Sequence, residues 1–598
     1  MSDFITADDA GTLPGLLLER IRRTPDAAAY IEYDAAQGGW GPQSWRDTGR
    51  RAAKFRAALS RAGLAPGERV ALLLPNSTDW VAFDMGAMSL GLVVVPLFAH
   101  DSAANLADVL ADAEARLALF ATGSRWAEVR THASRLEALE QIWIREPGGD
   151  LDDAGGGRAA RSLLDVLPAA AGEFETDARD PEALATLIYT SGTTGRPKGV
   201  MLSHVALLSN AEAAGKVIAP RADDVLLSHL PLAHAFERTA GCYLAMMGGS
   251  TVAYARSIDL LKEDIATIRP TVLLSVPRLY ERLTAAIRGR AASNPIKRWL
   301  LEATADLGWR RRLARERADA AFSPLHERLW SVLDLLAAAP VRRALGGRLR
   351  AAVSGGAPLD PNIARFLVGL GVPLTEGYGL TEAGPVVAAA TPEDSLPGSV
   401  GRPLPSVELA TSAGSELLVR TPSVMKGYWR DKAATAAAID DDGWLHTGDL
   451  AAIRDGRVFI LGRIKDVVVL ATGEKVNSAA IEEEILREPL FEQAVAVGEG
   501  RPCLVAVIVL NRDRWADLAR RHHWSEHEPN ALAVREHVLQ RICYRLRDMP
   551  DYAQVRAVHL TLEPWTLETG AETPTLKVKR QAVERRFARE IAELYLKK

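Results

Sequence analysis

The stretch Thr190-Ser191-Gly192-Thr193-Thr194-Gly195-Arg196-Pro197-Lys198-Gly199 constrains this chain more than any other. It follows an apolar run, Leu184 to Tyr189, that reads as a strand, and it precedes a second short strand, Val200 to Ser203. A helical pattern begins at His204. The stretch is therefore a loop at a strand end. Its glycines let consecutive backbone N–H groups point one way and let a ligand come close. The hydroxyls of Ser191, Thr193 and Thr194 add donors, and the Lys198 ammonium adds charge. Such a concavity suits a phosphate chain. It is not a Walker loop, because Arg196-Pro197 separates Gly195 from Lys198, and no Gly-x-Gly-x-x-Gly is present in it.

A strand-end loop of this kind needs a parallel sheet behind it, and the flanking chain supplies one. Helical periodicity over Trp45 to Ala62 is followed by an apolar strand at Val70 to Leu74, a helix at Trp80 to Leu90 and a strand at Leu92 to Val95. A helix from Asn105 to Glu114 and a strand from Leu117 to Phe120 continue the series. Strands alternating with helices predict a mostly parallel α/β sheet covered on both faces. The alternation divides the chain into a first segment ending near residue 180 and a second ending near 400. Past Gly398 the pattern becomes short alternating runs such as Glu416 to Arg420 and Val458 to Leu461, which predict a small antiparallel unit.

A chain of 598 residues exceeds one core, so at least two domains are expected. A net charge of −4 argues against nucleic acid as a partner. The cysteines, Cys242, Cys503 and Cys543, lack metal or redox spacing, which suits a reducing compartment. The N-terminus carries no charged-then-apolar signal, and no apolar run reaches the roughly 18 residues of a membrane span. His100 reads as a loop histidine, and Gly148 to Gly157 as a flexible Gly/Asp-rich loop.

Further strand-end blocks fall in the second segment. Leu230-Pro231-Leu232-Ala233-His234-Ala235-Phe236-Glu237-Arg238 follows a strand, and Ser275-Val276-Pro277-Arg278 ends another. Ser354-Gly355-Gly356-Ala357-Pro358 is a second Gly-rich turn, after Leu349 to Val353. Ligands on parallel sheets sit outside strand C-termini, so this turn belongs in the same crevice as the first loop. Thr375-Glu376-Gly377-Tyr378-Gly379-Leu380-Thr381-Glu382 offers a Tyr ring to a purine face, a hydroxyl at Thr381 and a hard oxygen at Glu382 for Mg²⁺. The third segment holds Gly443-Trp444-Leu445-His446-Thr447-Gly448-Asp449 and Gly462-Arg463-Ile464-Lys465-Asp466, and the chain ends with Thr573-Pro574-Thr575-Leu576-Lys577-Val578-Lys579-Arg580 before an amphipathic helix.

In this order the blocks resemble those of the acyl-adenylate-forming superfamily over nearly the whole chain. The histidine block, Ser-Val-Pro-Arg and Thr-Pro-Thr-Leu-Lys look like those of long-chain fatty acyl-CoA synthetases in particular. The resemblance implies a large N-terminal domain, residues 1–463, of two stacked α/β subdomains plus a small β-barrel-like subdomain. A small mobile α+β C-terminal domain, residues 464–598, follows. It implies that ATP is held by Thr190, Ser191, Gly192, Thr193, Thr194, Gly195 and Lys198, by Gly355, Gly356, Ala357 and Pro358, and by Glu376, Gly377, Tyr378 and Gly379. Asp449 takes the ribose hydroxyls, Arg463 contacts ribose or phosphate, and Thr194 and Glu382 hold Mg²⁺. His234 lies beside the bound carboxylate, Thr381 reaches a phosphate, and Lys577, rather than Lys579, bridges carboxylate and α-phosphate. Lys465 is the hinge. The implied activity is conversion of a fatty acid to acyl-AMP and pyrophosphate, then displacement of AMP by CoA. Acyl chain length has no local signature.

Two other readings stand beside this one. A fatty acyl-AMP ligase that loads a carrier protein would carry an insertion near the hinge, and none is evident between Arg463 and Glu482. A non-catalytic adenylate-fold scaffold would not need Glu382, Asp449, Arg463 and Lys577 together. Residues 279–347 form a basic helical stretch with Trp299, Trp309 and Trp330, which either packs as a solvated hairpin or lies on an anionic membrane. The expected setting is therefore cytoplasmic, with a possible peripheral membrane contact. The Arg520-Arg521-His522-His523 run, with Glu526, His527 and Glu528, reads as a solvated helix face ended by Pro529, since no zinc spacing fits.

Overall fold

A computed structural model describes residues 3–148, 159–190, 197–316, 323–566, 569–573 and 578–596. Two large sheets dominate it. The first has seven strands in the order Ala159–Ser162, Gln141–Glu146, Ala115–Thr122, Arg69–Leu73, Val93–Pro96, Leu184–Thr190, Lys198–Ser203. All neighbours run parallel except the last pair, which is antiparallel. The second has nine strands in the order Arg402–Pro403, Val386–Ala389, Leu374–Gly379, Ala351–Ser354, Val272–Ser275, Val225–Ser228, Thr251–Tyr254, Ala28–Asp34, Gly39–Ser44. Its centre is parallel and its edges are antiparallel.

The division near residue 180 is not the division between sheets. The chain crosses over twice: residues 28–44 close the edge of the second sheet, and residues 184–203 complete the first. The loop after Thr190 therefore hangs from the first sheet, while the Gly355 and Tyr378 blocks hang from the second. Period-2 burial shows why both sheets are central. Val70 and Leu72 face one core with Leu226, Leu274 and Val353, while Ala71 and Leu73 face another on the opposite side of their strand. The helices Thr78–Met88 and His204–Gly215 fill that shared core and are apolar nearly all round. Helix Trp45–Arg61 starts at a capping box, with Ser44 Oγ accepting from Asp47 N at 3.1 Å and Asp47 returning a bond to Ser44 N at 3.2 Å.

The β-barrel-like unit takes the form of an open four-stranded antiparallel sheet, Glu408–Thr411, Glu416–Arg420, Leu445–Arg454 and Arg457–Arg463. After it, a hairpin and the three strands Phe491–Val497, Leu504–Leu510 and Val555–Thr561 carry helices of their own. Two hydrophobic clusters here draw every buried member from residues 468–591, so this part has its own core. Polar contacts reach back across the boundary: Arg487 pairs with Asp360 at 3.2 Å, and Asn477 Nδ2 donates to Leu461 O at 2.7 Å. The helix after Asn511 ends at His522, with His523 left-handed at φ 56°, and not at Pro529. His522 there stacks on Trp524 with ring centroids 4.4 Å apart.

Candidate active site

The crevice lies where the C-terminal strand ends of both sheets meet the small antiparallel sheet. Thr190 ends its strand and pairs in register with Lys198 on the returning one. Ser191, Gly192, Thr193, Thr194 and Gly195 lie outside the described residues. The chain 426–429 runs along the outer edge of the returning strand, through Lys426 N to Met201 O at 2.9 Å and Trp429 N to Gly199 O at 2.7 Å. That register brings Tyr428 beside Lys198. Its ring lies 4.9 Å from Lys198 Nζ, and its hydroxyl donates to Glu382 Oε1 at 2.9 Å. Burial and the Glu382 charge push the Tyr428 hydroxyl well above the ordinary phenol range, so it stays a donor. Tyr428 was not singled out from the sequence. Its only signal is a Gly-Tyr-Trp at the end of a loop.

On the second sheet, Gly355 is held by its N–H to Ser275 O at 3.0 Å, and Gly356 has a positive φ of 80°, which favours glycine. Ala357 and Pro358 follow on the exposed side of the turn. Gly379 is required by a close approach, since a Cβ there would lie 1.9 Å from Pro385 O. Tyr378 donates to Asp449 Oδ2 at 2.5 Å, and Arg463 Nε donates to Asp449 Oδ1 at 3.0 Å. The residues expected at adenine, ribose and phosphate are thus one hydrogen-bonded group. Thr381 and Glu382 sit on a short 3-10 turn, Thr381–Ala383, directly after the Tyr378 strand. Glu376 precedes Tyr378 by two residues on the same strand. It is buried, accepts from Gly398 N at 3.4 Å, and has its carboxyl pushed up to about 7 by burial.

Lys465 lies on the 3-10 turn Ile464–Asp466. Desolvation, then the nearby Arg463 and Lys198, hold its ammonium below the usual lysine range, with Asp466 and Glu382 opposing. The expected hinge therefore lies beside Lys198, Glu382 and Arg463. Lys577 falls outside the described residues, but both flanks face the N-terminal part. Glu572, whose carboxyl is raised by burial, feels Arg278. Asp101, raised by burial and lowered by Asn105 and the Ser102 N–H, also feels Lys579.

His234 lines a cavity of about 940 Å³, its opening to solvent included. Its own N–H donates to Pro231 O at 2.9 Å, and its Nδ1 accepts from Phe236 N at 3.2 Å, which leaves Nε2 as the donor of the neutral ring. Gly355, Gly377, Tyr378 and Thr381 form the polar end of the cavity. The floor is Leu226, Val272, Leu274 and Val353, and Phe236, Leu244 and Ala245 form part of the roof. The arrangement is a polar, cationic crevice continuous with a narrow apolar cavity that runs under the sheet. It can hold a charged head and a hydrocarbon tail at once.

Comparison with known proteins identifies the family. Residues 17–429 match the AMP-binding enzyme family, and residues 465–598 match the AMP-binding enzyme C-terminal domain. The chain is 32% identical to the long-chain-fatty-acid–CoA ligase FadD15 of Mycobacterium bovis, over 99% of this chain and 98% of that one. It is 31% identical to the human long-chain-fatty-acid–CoA ligase 1, over 89% and 79%. Among solved structures it resembles the A domain of a carboxylic acid reductase from Segniliparus rugosus, in complex with AMP and a co-purified carboxylic acid. There the TM-score is 0.75 at 22% identity, covering 100% of this chain and 97% of that one. ATP-bound MatB from Rhodopseudomonas palustris gives a TM-score of 0.71 at 24% identity, over 97% and 99%. The chain belongs to the AMP-binding enzyme family.

Proposed function

We propose that this protein is an AMP-forming acid–thiol ligase that converts a long-chain fatty acid to its CoA thioester through an acyl-AMP intermediate. The observation that carries the reading is the continuity of the Lys198, Glu382, Tyr378 and Asp449 crevice with an apolar cavity past His234. A carboxylate is ionised at neutral pH and needs no general base to attack the α-phosphate. The work of the first step is placement and neutralisation of charge. Lys198 and Lys577 supply positive charge, the backbone of the 190–199 loop supplies donors, and Asp449 and Tyr378 seat the ribose and base. Glu382 keeps acceptor capacity beyond the Tyr428 bond, so its carboxylate fits a Mg²⁺ ion; with Thr194 it would hold one, which would neutralise phosphate oxygens. In the second step CoA thiol displaces AMP. The domain boundary at 463/464 and the hinge at Lys465 place a small domain, joined by few polar contacts, where it can turn between the two steps.

The test is AMP release from Mg·ATP with fatty acids from short to long, each with and without CoA. Release that requires CoA and favours long chains is the expected result. Acyl-AMP accumulating with little thioester would instead indicate a ligase that loads a carrier protein, and no turnover with any acid would indicate a scaffold.

Peripheral contact with an anionic bilayer through residues 279–347 is part of the same proposal. Helix Pro324–Leu333 and its continuation bury Trp330, Leu333, Ala338 and Val341, yet Leu325, Leu329, Val332 and Leu336 stay 74%, 48%, 57% and 57% exposed. That spacing is one helix face. Trp299 is exposed nearby in sequence, whereas Trp309 and Trp330 are buried. Glu327 and Asp334 are paired with Arg311 and Arg342, which leaves exposed Arg328 beside the apolar face. Among the described residues no helix is long and apolar enough to cross a membrane. Sedimentation with phosphatidylglycerol vesicles, lost on Leu329→Glu with Leu336→Glu, is the expected outcome.

A further inference from the structure

The apolar cavity runs along the strands of the second sheet, from their C-terminal ends at Gly355 to their N-terminal ends. There its lining changes from apolar to ionic: Asp224 and Arg350 close it, with Pro220 beside them. The two are 126 residues apart in sequence and form a fork. Arg350 Nε donates to Asp224 Oδ1 at 2.7 Å, and its terminal nitrogen donates to Asp224 Oδ2 and to Ala219 O, the latter at 2.7 Å. Thr271 Oγ1 donates to Asp224 Oδ1 at 2.7 Å and Arg221 N to Oδ2 at 2.8 Å. Asp224 is fixed by its neighbours and only 2% exposed, while the Arg350 side chain is 24% exposed. One partner is anchored in the wall and the other has a way out to solvent.

We infer that the Asp224–Arg350 pair is the displaceable end wall of the acyl site and sets the chain length at which binding stops improving. This rests on reading the cavity as the acyl site. From Gly355 back to Arg350 is five residues of extended chain, about 16 Å at about 3.3 Å per residue. An extended acyl chain advances about 1.25 Å per carbon, from C–C bonds of about 1.5 Å at near-tetrahedral angles. That span takes about 13 carbons. Up to that length each methylene leaves water for an apolar wall. A longer chain meets a charged fork and must turn Arg350 outward, losing its bonds to Asp224 and Ala219 before the extra carbons gain anything.

The experiment measures inhibition by acyl-sulfamoyl adenosines with saturated chains of 8 to 18 carbons. With the natural sequence, Ki is expected to fall about fourfold per methylene up to about 13 carbons and then flatten. In Arg350→Ala the fall is expected to continue, tightening the 18-carbon compound at least tenfold relative to the 12-carbon one. Asp224→Asn with Arg350→Gln removes the charges but keeps hydrogen-bonding groups of similar shape, and it should move the break the same way if Arg350→Ala does not fold. A break absent from the natural protein, or unmoved in the double variant, overturns the end wall. Failure of the acyl site itself would look different: every chain length would then inhibit alike, and no fatty acid would drive AMP release.

Discussion

At the scale of single residues, the crevice is held by contacts that no motif shows. Tyr428 ties the carboxylate of Glu382 to the ammonium of Lys198. Tyr428→Phe keeps the ring over Lys198 and removes one hydrogen bond to a charged acceptor. The expected effect is a loss of about tenfold in kcat/KM for ATP, with the melting temperature unchanged; unaltered ATP kinetics would remove Tyr428 from the site. A second such residue is Glu237, which lies in the histidine block but was given no role there. It is fully buried, its Oε2 has no hydrogen-bond partner among the described residues, and burial pushes its carboxyl up to about 8 against the Ser228 hydroxyl, which opposes the shift. Its ordinary value is 4.5. The folded state therefore holds the proton more tightly than the unfolded chain. The stability this contributes is complete below about pH 4.5 and is lost as pH rises through about 8. Glu237→Gln removes the ionisation, so its melting temperature should exceed that of the natural protein by on the order of 2 °C at pH 9 and match it at pH 5. Equal melting curves at both pH values would mean that this carboxyl is solvated. Gly355, Tyr378 and Asp449 could be read from the sequence because their chemistry is written in contiguous strings. Tyr428 and the Asp224–Arg350 fork could not, because each matters only for a partner brought close by pairing of distant strands.

At the scale of elements, local pattern carried much and pairing carried little. Strands such as Arg69–Leu73 and Val272–Ser275 announce themselves as apolar runs between helices, since burial on both faces leaves no polar alternation. What the runs do not encode is which sheet each joins, and the early strands Ala28–Asp34 and Gly39–Ser44 were not anticipated at all. Tyr33 and Trp40 on that hairpin face each other and leave its outer edge half-polar, a weak signal at sequence level. The short helix Leu244–Gly248 is the element that the acyl-site reading puts forward as shaping substrate choice. It turns Leu244 and Ala245 into the cavity, and its end approaches Pro220 at the ionic wall, so close that a Cβ on Gly248 would lie 2.5 Å from Pro220 Cβ. Ala245→Phe places a ring in the distal half of the cavity. The ratio of kcat/KM for 16-carbon over 10-carbon acids should then fall at least tenfold, at a stability cost of about 1–3 kcal/mol from overpacking. An unchanged ratio would show that hydrocarbon does not pass this helix.

At the scale of the whole molecule, the question is how one crevice serves two reactions that need different surroundings. Acyl-AMP formation needs cations around the α-phosphate, whereas thioester formation needs an open path for a thiol to the same carbonyl. The chain answers with a C-terminal part that has its own core and touches the rest through contacts such as Arg487 with Asp360, at 3.2 Å and partly solvated. Exposed pairs of this kind are worth about 0–1 kcal/mol, so they do not lock one arrangement. In the arrangement described, Glu572 and Lys579 lie near Arg278 and Asp101 of the N-terminal part. We propose that Lys577, which lies outside the described residues, serves the first reaction by bridging the carboxylate and α-phosphate. Lys577→Ala should then lower acyl-AMP formation by about 10²-fold or more, the scale set by removing a group that stabilises developing charge. Thioester formation from supplied acyl-AMP and CoA should change by less than about threefold, since Lys577 has turned away by then. The two half-reactions are measured separately, by pyrophosphate release without CoA and by thioester appearance from synthetic acyl-AMP. Equal loss in both would mean that Lys577 stays in the crevice throughout, and that the C-terminal domain does not turn about Lys465 between the steps.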